Sequence, residues 1–215
     1  AIVYFFGGGW KLGTPIQFYR ECAYYASKGM VAVSVDYRIE YLHHSTPFES
    51  FDDAKDAMRW LRSHASDYQL DPDKIAVAGG SAGGHLAAAL GTVGSDEAVN
   101  YRPNLSVLYY PVVDMVLRGY GFPEIKRDFE KISPIHHLSE ATPSTLILLG
   151  TKDPIVSVET IRAYQDKLLQ KGVDCELHLF EGAGHPIFLY RKPLTEDYYK
   201  VRKLTDDFLK REGFL

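Results

Sequence analysis

Lys74-Ile-Ala-Val-Ala-Gly79-Gly80-Ser81-Ala82-Gly83-Gly84-His85-Leu86 reads as a buried strand, a turn built from the smallest residues, and then a helix. A serine at the apex of so tight a turn is held out of the sheet with strained backbone angles, and the flanking glycines remove Cβ atoms that would collide. The hydroxyl then meets a substrate at a helix N-terminus, where free N–H groups and the helix dipole favour a developing negative charge. Gly-x-Ser-x-Gly alone is a weak pattern. The apolar strand before it and the Ala/Leu-rich helix after it turn the pattern into a nucleophile elbow. The competing reading is an ordinary glycine-rich βα turn that holds a phosphate. A dinucleotide site fails on spacing, because Ser81 occupies the second glycine that Gly-x-Gly-x-x-Gly requires.

On both sides of this turn the chain alternates short apolar runs with helical periodicity. Strands are expected at residues 2–6, 31–36, 75–78, 105–110, 145–149 and 175–180. Most are continuously apolar, as befits strands covered on both faces. Helical stripes run through Phe18, Cys22 and Tyr25; through Phe51, Ala54, Met58 and Leu61; through Val158, Ile161, Tyr164 and Leu168; and through Tyr198, Val201, Leu204 and Phe208. Gly29 and Gly172 supply stops. Repeated βα units predict right-handed crossovers and an α/β fold: a mostly parallel open sheet of about six strands with helices on both faces. Residues 115–134 are the least regular stretch and are expected to be a surface excursion or to cover one side of a pocket.

The totals narrow the field. A chain of 215 residues fits one domain over residues 1–215, with a single sizeable core. Its 24 basic and 28 acidic residues nearly balance, and no basic stripe is interleaved with aromatics, which argues against a nucleic-acid partner. No apolar run approaches the ~20 residues needed to span a bilayer. Cys22 and Cys175 lie far apart, without metal-type spacing, so neither a disulfide framework nor a metal site is expected. The chain starts without Met, directly on an apolar strand, which suggests a segment cut from a longer sequence or a domain without its usual opening elements.

A serine hydroxyl is a poor nucleophile until a base removes its proton, so a histidine must come within hydrogen-bond reach. Eight histidines compete. His43, His44, His64, His85, His136, His137 and His178 all have plain explanations as surface or packed residues. His185 follows the last expected strand in Glu181-Gly-Ala-Gly-His185-Pro186, at the carboxyl rim where open α/β sheets assemble their sites. It is assigned as base and acid. The acid that orients it is Asp153, just beyond the strand at 145–149 and in the Ser, acid, His order usual for such an elbow. Asp114 is the reserve, and Asp36 is expected to pair with Arg38 or cap a turn. The oxyanion of an acyl-transfer intermediate needs donors. Gly7 and Gly8 of Phe6-Gly-Gly-Gly-Trp10, with Ala82 beyond the serine, are the candidates. Trp10, Tyr110 and Phe188 are suggested as pocket walls.

Phe6–Trp10, Val35-Asp-Tyr-Arg38, Asp71-Pro-Asp-Lys-Ile75, Gly79–Gly84, Gly150–Pro154 and Gly182–His185 together resemble the α/β-hydrolase superfamily. The resemblance is to hormone-sensitive-lipase-like carboxylesterases and acetyl-xylan/feruloyl-esterase-type domains. It implies a Ser81–Asp153–His185 triad and cofactor-free hydrolysis of small carboxylic esters with short or acetyl acyl groups, on carbohydrate among other alcohols. Two departures stand out. Phe6 takes the place of the histidine that usually leads the glycine loop. The family's first two strands and N-terminal cap are also missing, which predicts an open, shallow pocket. It also leaves the strand at 31–36 as a bare apolar edge through which copies of the chain could pair. An arylformamidase shares the Gly-Gly-x-Trp loop and stands as an alternative. A non-catalytic binding protein on the same fold is a further one.

Overall fold

The apolar run Ile2–Phe5 forms β1, the first of six parallel strands in a computed structural model that describes residues 1–94, 100–115, 128–188 and 194–215. The others are β2 (Ala32–Val35), β3 (Ala76–Gly80), β4 (Leu105–Tyr109), β5 (Thr145–Gly150) and β6 (Cys175–Phe180). Each matches an expected strand to within two residues at either end. The largest difference is β3, which runs on through Gly79 and Gly80. Both glycines are weak strand formers, but β4 supports them at Leu108 and Tyr109, and β1 meets Gly79 at Phe5.

The strand order is β2-β1-β3-β4-β5-β6. From β1 the chain steps outward to β2 and then returns past β1 to β3. Right-handed crossovers therefore place α1 (Tyr19–Ala26) on one face and α3 (Pro47–Ser63) on the other. α4 (Ala82–Thr92) and α5 (Val158–Gln170) continue in the second direction and share the face of α3, while α6 (Glu196–Arg211) returns to α1. Buried Glu21 of α1 locks that last pairing by accepting from the Arg202 guanidinium at 2.9 Å and the Tyr198 hydroxyl at 2.6 Å. A one-turn helix, α2 (Glu40–His43), lies between β2 and α3.

The reversal of strand order falls between β1 and β3. Loops leaving the carboxyl ends of these neighbours diverge and leave a crevice, the usual ligand position in an open α/β sheet. Both glycine runs of the sequence lie there. β2 is indeed an edge, but all four of its residues are half-buried rather than bare, and the Ser34 hydroxyl donates to the Pro15 carbonyl at 2.8 Å. Arg38 pairs with Asp53, not with Asp36 as expected. Its backbone N–H and its guanidinium both reach that carboxylate, at 2.8 and 2.7 Å, because α3 brings Asp53 across the end of β2. Among the described residues no helix is long and apolar enough to cross a membrane. Of the expected excursion, residues 116–127 lie outside the described residues, and Phe129 is buried in a 3-10 turn, Phe129–Ile132.

Candidate active site

Ser81 is the residue before α4 and has φ 56° and ψ −117°, a left-handed conformation that a side chain rarely adopts. The crossing of strand and helix demands it. A Cβ on Gly79 would lie 2.3 Å from the Gly83 carbonyl oxygen, and one on Gly83 would lie 2.0 Å from that of Phe5. Only glycine lets α4 pack so closely on β3 and β1, and the turn between them throws the Ser81 side chain upward.

His185 and Asp153 converge on it. The Ser81 hydroxyl lies 2.8 Å from His185 Nε2, and His185 Nδ1 lies 2.7 Å from Asp153 Oδ2. A carboxylate can only accept, so Nδ1 carries the proton and Nε2 presents a lone pair to the hydroxyl. The Asp153 side chain is fully buried, and its other oxygen accepts from the N–H groups of Ile155 and Val156 at 2.8 and 2.9 Å. The carboxylate can therefore meet the imidazole in only one way. The loops that carry the two residues are laced together: Lys152 N–H donates to the Ala183 carbonyl at 2.9 Å, and Gly182 N–H donates to the Thr151 hydroxyl at 2.8 Å.

The glycine loop after β1 passes directly beside the elbow, since a Cβ on Gly7 would lie 3.3 Å from that of Ser81. The expected use of Gly7 as a donor needs correction. Its N–H already donates to Gln17 Oε1 at 3.0 Å, and an amide so committed cannot also hold an oxyanion. The N–H groups of Gly8, Gly9 and Ala82 have no partner among the described residues, and that of Ala82 is at the open amino end of α4. Phe6 stacks on Tyr37 at 4.0 Å between ring centroids, and the Tyr37 hydroxyl donates to the Phe6 carbonyl at 2.6 Å.

Of the suggested walls, Tyr110 borders the site. Its ring meets His185 edge-on at 4.7 Å, and its hydroxyl lies over Gly80. Trp10 is buried against His85, and Phe188 is buried between Tyr109 and Tyr198, beneath the His185 loop. The remaining histidines lie elsewhere. His85 is fully buried and donates from Nε2 to the Ile132 carbonyl at 2.8 Å, and burial pushes it down to about 4. His178 pairs with Glu176 on β6. Burial raises the Cys22 thiol to about 11 and the Cys175 thiol to about 12, so neither competes as a nucleophile near neutrality. A cleft of about 650 Å³ lined by Arg62, Asp73, Asn100 and Arg102 opens at the other end of the sheet, where β3 and β4 begin.

Comparison with known proteins agrees with this architecture. The BD-FAE family model matches residues 1–127. The chain belongs to the BD-FAE family. An esterase from Thermogutta terrifontis, solved with propionate bound, superposes on this BD-FAE chain with a TM-score of 0.92 at 38% identity, covering 100% of this chain and 84% of that one. The same esterase phosphorylated by paraoxon gives 0.90 at 38%, covering 100% and 83%. Esterase LipC of Mycobacterium tuberculosis is 30% identical over 86% of this chain and 52% of its own length. An acetylxylan esterase of Xylanibacter ruminicola is 26% identical over 92% of this chain and 44% of its own. The chain thus spans about half the length of these last two relatives. The α/β-hydrolase fold and the hormone-sensitive-lipase-like resemblance expected from the sequence are both borne out.

Proposed function

We propose that this BD-FAE chain is a serine carboxylesterase acting on short-chain or acetyl esters, with carbohydrate among the alcohols it releases. The observation that carries the reading is the unbroken relay from Ser81 through His185 to buried Asp153, with hydrogen bonds of 2.8 and 2.7 Å. In this reading Ser81 Oγ attacks the ester carbonyl as His185 Nε2 takes its proton. Asp153 stays ionised and stabilises the imidazolium. The tetrahedral oxyanion is held by Gly8 and Ala82, with the adjacent Gly9 amide available beside them. His185 then protonates the departing alcohol. Water repeats the sequence on the acyl-enzyme and frees Ser81. Tyr110 closes one wall, while Trp10 and Phe188 support the loops from below.

The relatives support ester chemistry and small acyl groups: propionate is bound in one, paraoxon phosphorylates the same esterase, and another is an acetylxylan esterase. Turnover of p-nitrophenyl acetate, p-nitrophenyl octanoate, acetylated xylan and an aryl formamide tests the assignment. Acetate esters are expected to be the best substrates, and Ser81→Ala to lower kcat by about 10⁴-fold or more. Preference for the formamide would favour an arylformamidase, and unchanged turnover in Ser81→Ala would rule out the serine mechanism.

A further inference from the structure

Gln17 makes a two-point contact that neither composition nor motif spacing announces. It lies ten residues beyond Gly7, in the 3-10 turn Pro15–Phe18, and its side-chain amide meets both polar groups of Gly7. Gly7 N–H donates to Oε1 at 3.0 Å, and Nε2 donates to the Gly7 carbonyl at 2.8 Å. The backbone groups fix the orientation of the side-chain amide, because the N–H can only donate and the carbonyl can only accept.

The second of these bonds controls Gly8. The Gly7 carbonyl and the Gly8 N–H belong to one planar trans peptide and point in opposite directions. Holding that carbonyl against Gln17 therefore aims the Gly8 N–H away from Gln17. Glycines on both sides of a peptide allow it to flip at little steric cost, and Phe6 has no polar side-chain atom with which to restrain it. Without Gln17, the carbonyl and the N–H could exchange directions beside Ser81, and a carbonyl oxygen would face the oxyanion.

We propose that Gln17 is a positioning residue for oxyanion stabilisation: by clamping Gly7 from both sides it commits the Gly7 amide and orients the Gly8 amide as a donor. The inference rests on the acyl-transfer reading given above. Gln17 does not touch the substrate; it acts through one peptide plane.

Two variants separate this role from space filling. Gln17→Met keeps the length of the side chain without its hydrogen bonds. Gln17→Glu keeps an acceptor for Gly7 N–H and sets a carboxylate oxygen against the Gly7 carbonyl. Both are expected to lower kcat for p-nitrophenyl acetate by about 10²-fold, the scale of losing one oxyanion donor, with KM within threefold of the parent. Affinity for a trifluoromethyl ketone, whose adduct carries the oxyanion, should fall by a similar factor. Either variant with kcat within threefold of the parent would overturn the proposal, as would a kcat loss without weaker ketone binding. Should Gln17→Met fail to fold, Gln17→Glu decides by the same readouts. Amide hydrogen exchange provides a test that needs no activity. The Gly7 amide should be protected in the parent and exchange at least tenfold faster in Gln17→Met; an unprotected Gly7 amide in the parent would contradict the clamp. An inactive parent with a protected Gly7 amide would count against the esterase reading alone.

Discussion

Two glycine-rich segments face each other across the crevice between β1 and β3, and they are held by different means. At the elbow, Gly79 and Gly83 are there because strand and helix backbones nearly touch; a Cβ on either would come within 2.3 Å of a carbonyl oxygen. Its shape is fixed by backbone packing within the turn and against β1. The loop after β1 is close-packed at one glycine and open at the next: a Cβ on Gly8 would lie 1.9 Å from the Leu12 carbonyl oxygen, one on Gly9 would meet nothing within 4 Å, and side chains from outside add restraint. Gln17 grips Gly7, while Tyr37 grips the Phe6 carbonyl and stacks on the Phe6 ring. A turn defined by close packing can be recognised from its own sequence. A turn defined by distant side chains cannot.

The acid behind the relay should give the largest effect. Asp153→Asn keeps the shape but offers an N–H to an imidazole nitrogen that must itself donate, which favours the wrong tautomer. A kcat about 10⁴-fold lower is expected, with the fold intact by circular dichroism. A loss of less than tenfold would detach Asp153 from the chemistry and leave the elbow as a structural turn.

Gly83 and Gly9, one from each segment, should also differ in their tolerance of a methyl group. Gly83→Ala drives a Cβ to 2.0 Å from the Phe5 carbonyl oxygen and is expected to cost ~3 kcal/mol or more in urea unfolding. Gly9→Ala meets open space and has to bear only its left-handed φ of 64°, at about 1 kcal/mol. Equal costs would erase the distinction between a packed and an open glycine.

A comparable effect is expected at His85, which joins the two segments: it sits one turn into α4 and packs against Trp10, which ends the glycine loop. Burial holds its imidazole down at about 4, below its ordinary 6.5. As pH falls below 6.5 the unfolded chain takes up a proton that the folded chain refuses, so stability is full above that pH and declines toward 4. The expected loss is about 3 kcal/mol across the interval. His85→Gln, which keeps a donor for the Ile132 carbonyl, should flatten this part of the stability profile measured by urea unfolding at stepped pH. An unchanged slope would assign the acid sensitivity to other groups.

Much of the molecule was legible in its sequence, for physical reasons. Strands covered on both faces are largely apolar, so most of the six were visible as continuous runs although the edge strand β6 carries Glu176 and His178, and Ser81, Asp153 and His185 each lie in the segment that follows one of them. Contacts that depend on the meeting of distant elements were not legible. Asp36 was the obvious partner for Arg38 by proximity in the chain, but α3 delivers Asp53 to it instead. Gly7 was an equally reasonable donor until Gln17 claimed its N–H. Periodicity carries no trace of either pairing, because each is set by where a turn or a helix comes to rest against a strand.

The central claim is that Ser81 is an activated nucleophile, and a fluorophosphonate probe tests it most directly. Labelling of the intact chain followed by peptide mapping should place a single adduct on Ser81, lost in Ser81→Ala and slowed at least 10²-fold in His185→Ala. An unlabelled chain, or an adduct on another residue with Ser81 untouched, would contradict the account.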